Sequence, residues 1–183
     1  MRFLPSKLAG VFVVDPEPRG DDRGLFARTW CRDEFAGHHL DTNLVQCNVS
    51  FNRLAGTLRG LHWQAAPHEE VKLVRCTAGA AWDVVVDVRP GSPTFGQWEG
   101  FDITAENRLG VYIPGGCAHG FQTYVDGTEL FYQMSAFYHA EASRGVRWND
   151  PRLAVAWPAC AQRIMNDRDA NLPHLEAVCL AAS

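Results

Sequence analysis

The chain holds 183 residues, 46% of them hydrophobic and 21% charged, a composition that excludes a disordered segment and suits one folded domain with a sizeable core. A formal net charge of -4 leaves no broad basic surface for nucleic acid, so an anionic ligand would need a local pocket. Six cysteines, Cys31, Cys47, Cys76, Cys117, Cys160 and Cys179, include no CxxC pair, which points to reduced thiols and away from a disulfide framework or zinc site.

Taken in chain order, the opening "MRFLPSKLAGVFVV" has no long apolar core followed by a cleavage site. No later run approaches the roughly 20 apolar residues of a bilayer span, so the expectation is a cytoplasmic protein without membrane contact. Short runs rich in Val, Trp, Phe and Tyr then recur between Gly, Pro, Asn and Asp, the mark of many short strands. Strands are predicted near 11–15, 25–30, 44–50, 57–64, 70–77, 80–88, 96–103, 110–113, 118–124 and 128–137. Only "CRDEFAGHH" (31–39) and the tail after Pro158 read as helical or irregular. No repeat or linker marks a second domain, and residues 1–183 read as a single all-β domain, a mostly antiparallel sandwich or jelly-roll barrel with short peripheral helices.

Period-two alternation sorts the faces of these strands. In "VQCNVS", Gln46, Asn48 and Ser50 share one side, and water is an ordinary destination for such a face. In "AAWDVVVDVRPGSP", Trp82, Val84, Val86 and Val88 share a face and Asp83, Val85 and Asp87 the other; the pattern reads as structural, with no chemistry attached. In "ELFYQMSAFY", Leu130, Tyr132 and Met134 lie together, placing a phenol on an apolar face, where it would ordinarily be a buried, hydrogen-bonded tyrosine. "GTLRGLHWQ" sets Arg59 and His62 among Leu58, Leu61 and Trp63, and burying such groups costs several kcal/mol unless they are paired or used.

"GVYIPGGCAHGF" carries Pro114, Gly116 and His119 as PxGxxH, which resembles the second motif of the cupin superfamily. The first cupin motif normally supplies an HxH pair, whereas this chain has His62, Trp63 and Gln64. A metal triad would have to come from His62, His119 and Glu69 or Glu70, so no metal is expected. The polar set inside a barrel is then Arg23, Gln46, Asn48, Arg59, His62, Lys72, His119 and Tyr132, enough for a ligand pocket with acid, base and anion-holding groups.

"DDRGLFARTW", "QCNVSFNRLAGTLRGLHWQ", "EEVKLVRC", "IPGGCAHGFQTY", "ELFYQMSAFY", "GVRWNDPRLAVAWP" and "NDRDANLPHL" occur in the order and spacing of the dTDP-4-dehydrorhamnose 3,5-epimerase family, and the resemblance covers nearly the whole chain. It implies a cupin-type jelly roll, a homodimer exchanging N-terminal strands, a nucleotide-sugar substrate, and no required metal or redox cofactor. It implies epimerisation at C3, C5 or both of a 4-keto-6-deoxyhexose, most simply dTDP-linked. His62 matches the base, Asp169 the carboxylate orienting it, Tyr132 the proton donor, and Lys72 the cation near the developing oxyanion. Arg23 and Arg59 match diphosphate-holding cations, Gln46 and Asn48 polar positions beside the nucleotide, His119 a sugar-contacting or relay histidine, Tyr138 an aromatic beside the nucleotide, and Phe26 an aromatic of the exchanged segment.

Arg28 and Ser143 stand where relatives commonly carry glutamates, and Cys47 and Val49 replace more polar residues. These departures leave the nucleotide and the choice of sugar centre open, with a single-centre epimerase or ketoisomerase as one alternative and a non-catalytic sugar-nucleotide-binding cupin as another. Strict alternation would point Arg59 and His62 to opposite faces; a bulge at Gly60 would aim both at one pocket.

Overall fold

The computed structural model describes residues 1–176. Six strands form one antiparallel sheet in the order β1 (Arg2–Pro5), β2 (Phe12–Asp15), β10 (Gly110–Ile113), β7 (Lys72–Ala78), β12 (Thr128–Met134) and β5 (Gln46–Asn52). Five form the other: β13 (Ser143–Gly145), β6 (Leu58–Gln64), β11 (Cys117–Thr123), β8 (Ala80–Asp87) and β9 (Trp98–Thr104). The hairpin of β3 (Arg19–Asp21) and β4 (Gly24–Phe26) pairs with neither sheet. Two short α-helices, α1 (Arg32–Gly37) and α2 (Asp167–Ala170), lie outside the sheets.

The core explains this architecture. Val74, Cys76, Val111, Ile113 and Leu130 from the first sheet meet Ala81, Val85, Ile103, Cys117 and Phe121 from the second, making one apolar layer between them. The outer face of the second sheet is buried as well. Leu61, Trp63, Val84, Val86 and Ala118 pack beneath Val146, Leu153 and Leu175, with Trp82 and Trp157 edge-on at 5.3 Å. β8 thus packs on both sides, and its three consecutive valines are fully buried, each contributing about 1.5–3 kcal/mol of transfer free energy. On the first sheet's outer face, Phe35 of α1 packs with Val14, Leu73 and Tyr112.

The predicted strands are present with shifted ends, and three short ones, β1, β3 and β13, were not anticipated. The run predicted at 25–30 forms a strand only over Gly24–Phe26. Cys31, Cys47, Cys76, Cys117 and Cys160 are free thiols, and Cys179 lies outside the described residues. No described helix is long and apolar enough to cross a membrane.

Candidate active site

A cavity of about 330 Å³ opens between the two sheets. Arg59, His62, His119 and Phe121 reach it from the five-stranded sheet; Asn48, Ser50, Lys72, Tyr132 and Met134 reach it from the six-stranded sheet; Asn166, Arg168 and Asp169 close it from the α2 segment.

A bulge brings Arg59 and His62 to one face. β6 pairs with β11 as His62 against His119 and then Arg59 against Phe121, so Gly60 and Leu61 together oppose Gly120. That extra residue reverses the alternation. Gly60 sits at φ +120°, and a Cβ there would lie 2.6 Å from Gly120 Cα, which is why glycine occupies the position.

His62 meets a carboxylate from the opposite end of the chain. Its Nε2 lies 2.8 Å from Asp169 Oδ1, while the Gly60 N–H donates to Asp169 Oδ2 at 3.1 Å. Asn166 caps α2 by accepting from the Asp169 N–H at 2.7 Å, fixing the carboxylate's backbone. Burial works against the Asp169 charge, but the hydrogen bonds from His62 and Gly60 outweigh it and hold the carboxyl below its ordinary pKa.

A second pair lies beside the first. His119 Nε2 is 2.6 Å from Asp83 Oδ1, both residues being buried, and Asp83 Oδ2 has no hydrogen-bond partner. The expectation that the β8 pattern carries no chemistry therefore needs correcting: Asp83 points inward and holds a cavity histidine. The Tyr132 ring stands edge-on to His119 at 5.8 Å. Burial, reinforced by Asp83 and opposed by Arg59, raises the Tyr132 phenol far above the ordinary tyrosine range, so it keeps its proton.

Lys72 Nζ makes a 3.0 Å ion pair with Glu70, both side chains 7% exposed, and donates to the His62 carbonyl at 3.3 Å. Arg59 Nε donates to buried Asn52 Oδ1 at 2.9 Å, and Arg168 Nη2 donates to Ser143 Oγ at 2.9 Å. Of the groups considered for a cupin metal triad, His62 is engaged with Asp169, His119 with Asp83 and Glu70 with Lys72, and Glu69 does not line the cavity.

Of the residues expected at the site, Asn48, Arg59, His62, Lys72, His119, Tyr132 and Asp169 line this cavity, and Arg23, Phe26, Gln46 and Tyr138 do not. Arg23 and Phe26 sit on the detached hairpin, 89% and 78% exposed respectively, with Arg23 paired to Asp21. Gln46 lies one pleat beyond Asn48 at the start of β5, and Tyr138 follows the end of β12 on the surface. Arg28 pairs with Glu34 on α1 at 2.8 Å. Sequence reasoning missed Asp83, Asn166 and Arg168, and considered Glu70 only as a metal ligand. An acid inside a run of valines was the one signal that could have exposed Asp83.

Two dyads, a half-buried phenol and three cations around one sugar-sized space fit a carbon-acid isomerase. The family model described as dTDP-4-dehydrorhamnose 3,5-epimerase matches residues 5–177, and the chain belongs to that family. It is an isomerase, and sugar-nucleotide epimerisation is its chemistry. The dTDP-4-dehydrorhamnose 3,5-epimerase of Sinorhizobium fredii is 40% identical over 175 residues, 96% of this chain and 90% of the relative. NovW, a 4-keto-6-deoxy sugar epimerase from the novobiocin gene cluster of Streptomyces spheroides, superposes with a TM-score of 0.94 at 37% identity, covering 100% of this chain and 91% of that one. ChmJ, a 3'-monoepimerase from Streptomyces bikiniensis solved with dTDP-quinovose, gives 0.91 at 34% identity over 97% of this chain and 90% of its own. These structures carry the cupin-type jelly roll seen here.

Proposed function

We propose that residues 1–183 form a single epimerase domain acting at C3, C5 or both of a dTDP-linked 4-keto-6-deoxyhexose, without a metal or redox cofactor, by proton removal and return. One observation carries this reading: His62, already hydrogen-bonded to Asp169, and Tyr132, held neutral, enter one cavity from opposite sheets. A carbon is epimerised when a base takes its proton on one face and an acid returns one on the other, which is the arrangement two facing walls provide.

With Nε2 committed to Asp169, His62 presents Nδ1 as the base. The C–H bond breaks, its proton passes to Nδ1, and its electron pair moves into the ring as the ketone becomes an enolate. Asp169 stabilises the imidazolium that results. The Lys72 ammonium, fixed between Glu70 and the His62 carbonyl, lies ready to offset the oxyanion. Tyr132 then protonates the carbon from the other side, and the ketone re-forms. Arg59 and Arg168 supply guanidiniums suited to the diphosphate, with Asn48 beside the nucleotide and His119 on the sugar.

The reading includes a cytoplasmic homodimer with exchanged N-terminal strands. β5 lines the cavity yet is an unpaired sheet edge, with Val49 and Phe51 both exposed, and the β3–β4 hairpin is attached to no sheet of its own chain. A partner's hairpin laid along β5 would bring its Arg23 and Phe26 to the cavity mouth, beside Gln46 and Tyr138.

Proton NMR of dTDP-4-keto-6-deoxyglucose with the protein in D2O tests the chemistry. Deuterium should enter at C3 and C5, and His62→Ala should abolish both exchanges. Exchange at one centre alone would establish the single-centre alternative, and none at all would mean a different nucleotide sugar or a sugar-nucleotide-binding role.

A further inference from the structure

Outside the cavity, the described residues bring one other set of ligating side chains together. His68, His139 and Glu141 offer nitrogen and oxygen atoms that all lie within 4.8 Å of one another. We propose that these three residues form a surface site for one borderline divalent cation, of which zinc is the natural representative.

The backbone beneath them is built, not incidental. Gln64 is 2% exposed, and its side chain donates to the carbonyls of His68 at 3.0 Å and Phe137 at 3.1 Å, while its Oε1 accepts the His139 N–H at 2.6 Å. One buried amide therefore ties the turn carrying His68 to the segment carrying His139. Ala65 N–H donates to the Ala142 carbonyl at 2.9 Å and Ala142 N–H to the His139 carbonyl at 3.1 Å, closing a frame with Glu141 inside it. Arg144 is spent on the carbonyls of Glu141 and Ser143, which leaves the Glu141 carboxylate open to another cation.

The donor set suits zinc. Two imidazoles and a carboxylate, with water in the fourth position, make a familiar open tetrahedral site, and imidazole ligands favour zinc, copper and nickel over magnesium or calcium. His139 Nδ1 and Glu141 Oε1 are 3.3 Å apart, close to the spacing of two ligands each about 2.0–2.1 Å from one tetrahedral ion. The His68 and His139 rings are stacked, 3.7 Å between centroids and 22° between planes, so a shared ion must turn one ring out of the stack. Both rings are only half-buried, which leaves room for that turn. Without an ion, the exposed His139–Glu141 pair is a surface ion pair that contributes little.

Chelator-stripped full-length protein titrated with Zn2+ by calorimetry tests the site. The expected result is one ion per chain at micromolar concentration. His139→Gln and His68→Gln should each weaken binding at least tenfold, Glu141→Gln by less, and Co2+ should give a tetrahedral visible spectrum that His139→Gln removes. Thermal melts of the variants without zinc check that each still folds. His62→Ala separates this site from the cavity histidines, and zinc binding should survive it. Absence of binding to wild-type protein, retention in both histidine variants, or loss in His62→Ala would each overturn the proposal.

Discussion

Asp169→Asn removes a charge and preserves a shape, which makes it the sharpest test of the His62 dyad. The carboxylate is 2% exposed and sits 2.8 Å from His62 Nε2. When His62 takes a proton, a unit positive charge appears with its centre about 4 Å from the carboxylate, an attraction of roughly 4 kcal/mol at an effective dielectric of 20. At about 1.36 kcal/mol per decade, kcat should fall on the order of 1,000-fold. The sugar gains no charge before proton transfer, so KM should move much less. Deuterium exchange at C3 and C5, followed by proton NMR with saturating substrate, measures this directly. If Asp169→Asn exchanges deuterium within about threefold of wild type while His62→Ala does not, the carboxylate has no part in charging the base and the dyad argument fails.

Gly60→Ala should cost about 2–6 kcal/mol in urea unfolding, the sum of overpacking against Gly120 and an unfavourable φ; loss of less than about 1 kcal/mol would mean the bulge adapts. Asp87 is fully buried, and although burial opposes its charge, bonds from Arg89, Ser92 and Thr94 hold its pKa well below the ordinary value. A depressed carboxylate stabilises fully above its unfolded pKa of about 3.9 and loses that contribution as pH falls through the folded value. Asp87→Asn should therefore lose about 3–5 kcal/mol at pH 7, with the difference from wild type shrinking in acid denaturation curves. The buried Cys117 thiol is pushed up to about 12, so iodoacetamide near neutral pH should modify exposed Cys47 and Cys160 and spare Cys117 until the protein unfolds, as mass spectrometry of digests would show.

Periodicity reported the sheets because strands such as β6, β7 and β11 bury at least one face, and the valines of β8 follow from packing on both. It missed β1, β3 and β13, which are three or four residues long and too short for a period to register. Gly60 shows where local reasoning succeeds: two polar residues three apart conflict with alternation, and a glycine between them resolves the conflict. Asp169 could be read only through family resemblance, since its neighbours on the chain are ordinary polar residues and its partner is 107 positions away. Asp83 was overlooked because alternation assigns a face without saying what stands across it. Arg168 and Asn166 lie in a segment with no periodicity, placed beside the cavity by contacts that no local pattern encodes.

The position of Asp169 along the chain also bears on how the protein comes into being. The last strand of either sheet ends at Gly145, so the barrel walls can assemble before the segment bearing the carboxylate has left the ribosome. A nascent or truncated chain ending ahead of Asn166 would own Arg59, Lys72, His119 and Tyr132 but have nothing to grip His62. Such a chain would still present the walls of the pocket and would lack the carboxylate that His62 leans on. In the proposed mechanism, competence to turn over substrate thus depends on the α2 segment, which follows every other wall of the pocket in chain order.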